Sequence, residues 1–404
     1  MEESVKKIAL PSKPAVIPAG LAIAAIIFVA VDLRPGIVSI GPVLPSIRDA
    51  FHLSNGTAAL LTSIPDVLMG LLALPTPWLA RRCGRDRVML LALALLLASI
   101  GLRAFAQNAP LLMVSTAGVG AGIAIAGTLI GGFIKAEFPS RLAVVMGVYA
   151  TALAVGSVAA AALTSPLAGN HPDGWRFATG VWSLLGIGAI LFWSMVKVRA
   201  ANRNRAATEV ANHVPLPLNE GIAWAITIFF GVNNLLFYAF LAWTVTIYRE
   251  LGYSDVKAGL ILATFAVASL LGNPVFGALS RSRDRRGWLA GASLICCIGL
   301  VGLAMAPQSA PYLWVSLIAF GQAGGFTLGM TLPLDNTNTV QETDMWNAFT
   351  LTFGYLIAAS GPILVGILRD LTGSFRVPVL TLVGVGLFMS LLTIVLRPRA
   401  QNYA

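Results

Sequence analysis

Long apolar runs separated by short polar segments make up most of this chain. The first run, 15–31, carries no charge, and after the polar segment 32–36 a second apolar run extends over 37–47. An α-helix needs about 20 apolar residues to cross a bilayer, so 15–49 is long enough to cross and its charges fall near the middle. Eleven runs of the same kind follow. The twelve predicted spans are 16–47, 56–79, 87–106, 110–135, 141–168, 175–197, 220–248, 255–280, 287–306, 311–334, 344–369 and 375–396.

Composition agrees with this pattern. Hydrophobic residues make up 57% of the 404 positions and charged residues 11%, whereas a soluble domain carries roughly 25% charged residues. The sequence therefore predicts an all-α membrane protein with twelve transmembrane helices. The net charge of +10 is interpreted as membrane topology rather than as a nucleic-acid surface, because the positive residues collect in alternate loops.

The positions of Lys and Arg predict the orientation. With the amino terminus inside, 19 of the 27 Lys and Arg residues fall in inner segments and 6 in outer segments, as the positive-inside rule requires. Both termini are therefore expected in the cytoplasm, with the chain in a bacterial inner membrane. One inner loop departs from the rule, since 335–344 contains Asp335, Glu342 and Asp344 but neither Lys nor Arg.

The chain also repeats itself at an offset of about 200 residues. Three matched features are Trp175-Arg176 and Phe375-Arg376, Asp86-Arg87 and Asp284-Arg285, and Gly122 and Gly324. Six spans per half in the same orientation predict two pseudo-symmetric six-helix bundles with a solute site between them. The predicted division is a first bundle over 1–197, a cytoplasmic linker over 198–219 and a second bundle over 220–404.

Two inner loops and three longer stretches carry a family resemblance. The loops are PWLARRCGRDR (77–87) and GALSRSRDRR (277–286); the stretches are DLRP (32–35) with GPVLPSIRD (41–49), FFGVNNLLFYAFLAW (229–243) and GYLIAASGPILVGILRDLTGSF (354–375). Over nearly its whole length the chain resembles the major facilitator superfamily, and within it the cyanate permease and nitroimidazole transporter family. The resemblance implies the major facilitator fold and solute transport.

Three residues depart from the pattern of that family. Arg81 stands where the inner-loop motif usually has an acidic residue, which weakens a charge-relay role for this loop. Asp32 stands where the family usually has Asn, and Asp66 stands where it usually has an apolar residue. Both aspartates add carboxylates to the membrane region, so the solute of this chain is not fixed by the resemblance.

Arg34 is the leading candidate for solute contact. Its guanidinium has five donors and stays charged, and at mid-bilayer depth a charge costs about 3 kcal/mol or more unless it faces a protein interior or a wet cavity. Pro35 and Gly36 weaken the helix beside it. Such a group would bind a carboxylate, a linear anion or a polarised nitro group. The alternatives are a position near the surface, or a structural ion pair with Asp66 or with Asp32, which does not share its helical face.

Asp66 is a candidate proton carrier. It follows Pro65 in the second span, with no Lys or Arg nearby in the sequence. Pairing with Arg34 is an equally open alternative, and the two roles combine if protonation of the carboxylate frees the arginine for an anion. Asp32 is the second candidate for the same role.

Six polar side chains near the middle of other spans are predicted to line the same site. Buried amides need hydrogen-bond partners, and a cavity supplies them, although packing between helices is the alternative for each residue. They are Asn233, Asn234 and Tyr238 in the seventh span, Tyr149 in the fifth, Gln322 in the tenth and Tyr355 in the eleventh.

The sequence contains neither a phosphate loop, a catalytic triad nor a metal-ligand spacing, so we expect no enzymatic activity, cofactor or bound metal. The leading hypothesis is a monomeric secondary transporter in the lipid bilayer that takes up a small anionic or polar organic solute with protons. The alternative is a proton-coupled exporter of drugs or other amphipathic compounds, for which Asp32 and Asp66 would supply acidic groups.

Overall fold

The computed structural model describes residues 17–53, 55–169, 171, 173–204 and 214–398, and the secondary structure in these ranges is helical throughout. The first half contains α1 (Ala19–Leu33), α2 (Pro35–Val38), α3 (Ile40–Phe51), α4 (Asn55–Ala73), α5 (Thr76–Cys83), α6 (Arg85–Arg103), α7 (Ala109–Glu137), α8 (Leu142–Ala168), α9 (Gly174–Gly180) and α10 (Ser183–Asn204). The second half contains α11 (Gly221–Glu250), α12 (Asp255–Leu279), α13 (Arg286–Met305), α14 (Pro311–Asp335), α15 (Val340–Thr372) and α16 (Arg376–Leu392), followed by a 3-10 turn, Thr393–Val395.

These helices form the twelve predicted passes. Eleven helical stretches within the described ranges are long and apolar enough to cross a membrane, and α4, with its apolar part Ile64–Ala73, supplies the twelfth. Helices α1, α2 and α3 form the first pass, and α9 with α10 forms the sixth. The prediction of an all-α protein with twelve transmembrane helices is confirmed.

Several boundaries differ from the prediction, each for a local physical reason. The first pass is broken at Arg34 and at Ser39, and it extends to Phe51. The second pass ends at Ala73 before Pro75, and α5 begins a separate short helix. Helix α10 continues to Asn204, past the predicted boundary at 197, because a helix that leaves the membrane can carry polar residues. Residues 205–213 of the predicted linker lie outside the described residues.

Each half has its own apolar core. In the first half, α6 packs on α7 and α10, while α1 packs on α8 and α10; in the second, α11 packs on α15, and α14 packs on α12 and α13. The first core also includes Phe230, Met330 and Leu351 of the second half, so apolar packing continues across the boundary between the halves.

The halves approach each other most closely where α8 crosses α12 and where α4 crosses α15. At the first crossing, a Cβ on Gly277 would lie 2.8 Å from the Ala143 carbonyl oxygen and 2.9 Å from the Cα of Gly147, so both helix backbones nearly touch. At the second, the Thr352 hydroxyl donates to the Gly70 carbonyl oxygen at 2.8 Å. Small residues at both crossings allow this close approach.

One end of the molecule, here called the basic face, is formed by α5, the ends of α7 and α14, the segment 280–286 and the start of α15. Here Arg85 pairs with Asp344 of the other half, and Lys135 donates to the carbonyl oxygens of Leu334 and Thr337. The halves are therefore joined at the basic face by charged groups as well as by packing.

Candidate solute site

The break in the first pass places Arg34 between two helices. Leu33 ends α1, and Pro35 begins α2, where its missing N–H cannot donate to the preceding turn. The Arg34 carbonyl oxygen accepts from the N–H groups of Ile37 at 3.1 Å and Val38 at 3.0 Å, which closes the next turn. The side chain of Arg34 is half-buried and faces the boundary between the halves.

A narrow cavity of about 30 Å³ lies at this boundary. Its polar lining residues are Arg34, Tyr149 and Tyr355. Its apolar walls come from α1, α4, α7, α8, α14 and α15, with Leu33, Met69, Ile123, Ala124, Gly127, Leu153, Phe326, Met330 and Leu351. The permanently charged guanidinium of Arg34 thus faces a cavity that is built by both halves and is otherwise lined by apolar side chains and tyrosine phenol groups.

Three tyrosines surround the guanidinium. The hydroxyl groups of Tyr238, Tyr149 and Tyr355 all lie close enough to interact with the charge of Arg34. Tyr149 comes from the first half, whereas Tyr238 and Tyr355 come from α11 and α15 of the second. Arg34 therefore has phenol groups of both halves around it, each of which can accept a hydrogen bond.

Asp66 lies at the edge of this cluster. It is partly buried on α4 and interacts electrostatically with Arg34, Tyr238 and Tyr355. Within the described part of the chain, however, Arg34 forms no salt bridge, so Asp66 does not neutralise it by direct contact. The guanidinium keeps donors available for a bound group.

Asp32 occupies a different environment. Residues two apart on a helix point about 200° apart, and the Asp32 side chain accordingly turns away from the cavity into the first bundle. It is fully buried, and neither carboxylate oxygen has a hydrogen-bond partner among the described residues. The interior of the first bundle therefore holds a carboxyl group without a counter-ion within bonding distance.

The predicted amides lie inside the second bundle and do not line the cavity. Asn233 is 1% exposed and donates to the Gln322 backbone carbonyl at 3.3 Å, while Asn234 donates to the Phe230 carbonyl of its own helix at 2.8 Å. The Gln322 side chain is buried, and neither its Nε2 nor its Oε1 has a partner among the described residues. A role for Asn233, Asn234 and Gln322 in solute binding stays a prediction.

The apolar walls were not predicted. Phe326 and Met330 are four residues apart on α14 and so share a face, and Met69 on α4 follows Asp66 at the spacing of one turn. In a membrane span such apolar residues look the same whether they face lipid, a neighbouring helix or a cavity. For Met69, its spacing of one turn from Asp66 is the one sequence signal that would have placed it near the site.

Comparisons with known proteins identify the family and the fold. A sequence profile described as Major Facilitator Superfamily matches residues 20–343 and 244–403. The chain is 31% identical over 374 residues to the 2-nitroimidazole transporter of Escherichia coli (strain K12), covering 91% of this chain and 93% of that protein. It is 30% identical over 351 residues to the cyanate transport protein CynX of the same organism, covering 87% and 90%. The solved transporter FucP, in the outward conformation, superimposes with a TM-score of 0.72 at 15% identity, covering 96% of this chain and 100% of FucP.

Proposed function

Since the chain belongs to the major facilitator superfamily, we propose that it is a secondary transporter that binds a small anionic or polar planar solute at Arg34. The proposal rests on one observation: the Arg34 guanidinium faces a cavity between the halves and forms no salt bridge with any described residue. A guanidinium binds carboxylate-like and nitro-like groups through parallel N–H donors, and the low dielectric around it strengthens those bonds.

The shape of the cavity supports a small solute. At about 30 Å³ the cavity is far smaller than the roughly 300–1,000 Å³ of typical small-molecule sites, so a solute would enter only as the halves separate further, and the walls beyond Arg34 are mostly apolar. A small flat solute with one polar end suits this division of the lining, with its polar end on Arg34 and its body against the apolar walls. The names of two relatives, the cyanate and 2-nitroimidazole transporters, describe solutes of this kind.

Alternating access of the two halves is the mechanism that we propose. The basic face is closed by contacts between the halves, and the positive-inside rule directs this face to the cytoplasm of a bacterial cell, with both termini on that side. The described state is then closed towards the cytoplasm. Because one chain builds the whole cavity, a monomer suffices.

Proton coupling completes the proposal. Asp66 is near enough to Arg34 for its charge to weaken anion binding, and it is partly exposed, so it can exchange protons. Protonated Asp66 leaves the guanidinium free for an anion, and deprotonation on the inner side favours release. Asp32 is the second candidate, although it lies on the opposite face of the helix.

Binding of cyanate and 2-nitroimidazole to the purified chain tests the proposal. Each probe should raise the unfolding temperature, Arg34→Lys should weaken its apparent affinity about 10-fold or more because one ammonium cannot replace two parallel donors, and Arg34→Met should abolish it. The control is Arg87→Met, which removes an exposed arginine at the basic face. Equal affinity in Arg34→Met and Arg87→Met would refute the site, and stabilisation by lipophilic cations instead would favour the drug-exporter alternative.

A further inference from the structure

A second arginine is buried inside the first bundle, behind the candidate site. Arg103 is the last residue of α6, and its side chain has 0% exposure. Its Nη1 donates to the backbone carbonyl oxygen of Gly36, and its Nη2 donates to the hydroxyl of Thr116 at 3.3 Å. Burial of a guanidinium costs free energy unless its N–H groups donate hydrogen bonds, so these two bonds hold the Arg103 side chain in place.

The acceptor, Gly36, belongs to the broken part of the first pass. In a continuous helix its carbonyl oxygen would accept from the N–H of residue 40. Here α2 ends at Val38 and α3 begins at Ile40, and the Gly36 oxygen instead accepts from Arg103. The side chain therefore satisfies a backbone group that the break would otherwise leave unbonded inside the membrane.

Packing around Gly36 makes this contact possible. A Cβ added at Gly36 would lie 2.8 Å from Val119 on α7 and 3.2 Å from Ile100 on α6. The backbone of α2 thus lies directly against both helices, and only glycine allows Arg103 to reach the carbonyl oxygen from α6.

We propose that Arg103 is a positioning residue for Arg34. Residues 34 and 36 are two apart, so they point about 200° apart around the helix. The bond from Arg103 holds the face of α2 that carries Gly36 against α6 and α7. Arg34 lies on the opposite face, so it is directed away from α6 and α7 and into the cavity. What Arg34 binds there rests on the function proposed above, whereas the positioning itself does not.

Accessibility of position 34 tests the positioning without any solute. The background is the full chain in proteoliposomes with Cys83→Ser, Cys296→Ala and Cys297→Ala, and the reporter is Arg34→Cys, modified by a membrane-impermeant methanethiosulfonate reagent. Arg103→Met should slow modification about 10-fold, because it removes the charge-assisted hydrogen bond that holds Gly36 against α6 and α7. Arg103→Lys retains one donor and should restore most of the rate.

A second reporter separates positioning from general structural damage. Tyr149→Cys lies on α8, in the same cavity but not on the first pass, and its rate should stay unchanged in Arg103→Met. Equal slowing at both reporters, or no slowing at Arg34→Cys, overturns the proposal. Should Arg103→Met fail to fold, Thr116→Val carries the test, because it removes the second acceptor that holds the Arg103 guanidinium, and an unchanged Arg34→Cys rate in Thr116→Val overturns the proposal equally.

The transport measurement then reports on the solute. With cyanate as probe, Arg103→Met should raise the apparent KM more than it lowers the maximal rate, since it displaces a binding group. Displacement of position 34 with unchanged KM would refute the proposed solute site and leave the positioning role intact.

Discussion

Lys135 and Asp335 are 200 residues apart and lie in the last turn of α7 and of α14, one in each half, and they carry opposite charges. In the second half Arg285 pairs with Asp335 at 2.6 Å, within its own bundle. In the first half Lys135 stands 200 residues before Asp335, and Arg85, 200 residues before Arg285, pairs instead with Asp344 across the boundary. The reversed charge thus accompanies a change from an ion pair within a bundle to an ion pair between bundles.

Restoring the missing acid should open the basic face. Lys135→Asp would give Arg85 a partner in its own half and would remove the donor to Thr337, so the contact between the halves should weaken. Spin labels at native Cys83 and at Asn338→Cys, with the other two cysteines replaced, should show a longer mean distance. Lys135→Met, which adds no acid, should show a smaller change. An unchanged distance in Lys135→Asp would contradict this role.

The buried pair of the second half should matter for stability. Asp335→Asn leaves the Arg285 guanidinium, 5% exposed, without its carboxylate, and breaking such a buried pair costs about 3–5 kcal/mol. Resistance of the purified protein to heat or denaturant measures this loss. Asp284→Asn is the matched control, because its pair with Arg286 is exposed and should contribute little. Similar losses in the two variants would show that burial of the pair is unimportant.

The hydroxyl of Tyr238 should contribute to solute affinity. Tyr238→Phe removes the partner of Arg34 from the second half, and hydrogen bonds to charged groups are worth about 1.5–3 kcal/mol, so apparent affinity for the probe should fall about 10-fold. Tyr312→Phe, at an exposed site, is the control. A double-mutant cycle with Arg34→Lys should be strongly non-additive, and additive effects would argue against a shared site.

The close crossing of α8 and α12 should be required for movement of the halves. Gly277→Val places side-chain atoms against the Ala143 carbonyl and Gly147, where a Cβ alone already lies within 3 Å. Transport should fall about 10-fold or more while probe binding persists, because the cavity itself is not altered. Gly259→Val is the control on the same helix, since a Cβ there meets nothing within 4 Å. Equal transport by both variants would exclude this crossing as a pivot.

Substitution of each aspartate by asparagine tests which carboxyl group carries the proton. Asp66→Asn should make uptake indifferent to an imposed proton gradient while probe binding remains, because an amide cannot release a proton near Arg34. Asp32→Asn should leave the response to the gradient intact. Uptake into proteoliposomes with and without the gradient measures both, and the opposite pattern would assign coupling to the first bundle.

The central cluster was largely predictable from the sequence, whereas the amides were not placed by the same reasoning. Arg34, Tyr149 and Tyr355 line the cavity as their mid-span positions suggested. Asn234 and Tyr238 share a helical face. The short Asn234 side chain hydrogen-bonds to the backbone of its own helix, whereas the longer Tyr238 side chain reaches Arg34. Periodicity gives the face of a helix; the length of the side chain and the neighbouring helix decide what it contacts.

The acidic loop illustrates a second limit. Counting charges treated 335–344 as an exposed inner segment that breaks the positive-inside rule, and gave no reason for its acids. The structure places Asp335 against Arg285 and Asp344 against Arg85, so both are buried counter-ions. Arg85 and Asp344 are 259 residues apart. Local sequence patterns cannot identify such a pair, because only the fold brings the two residues together.

The reversed charge at the end of α7 also has a consequence for biogenesis. The second half carries both members of its own ion pair, whereas Arg85 finds its carboxylate only when the other half is present. Synthesised as two separate polypeptides, the halves should therefore be unequal: the carboxy-terminal piece should survive alone, and the amino-terminal piece should escape proteolysis only when it is co-expressed with its companion.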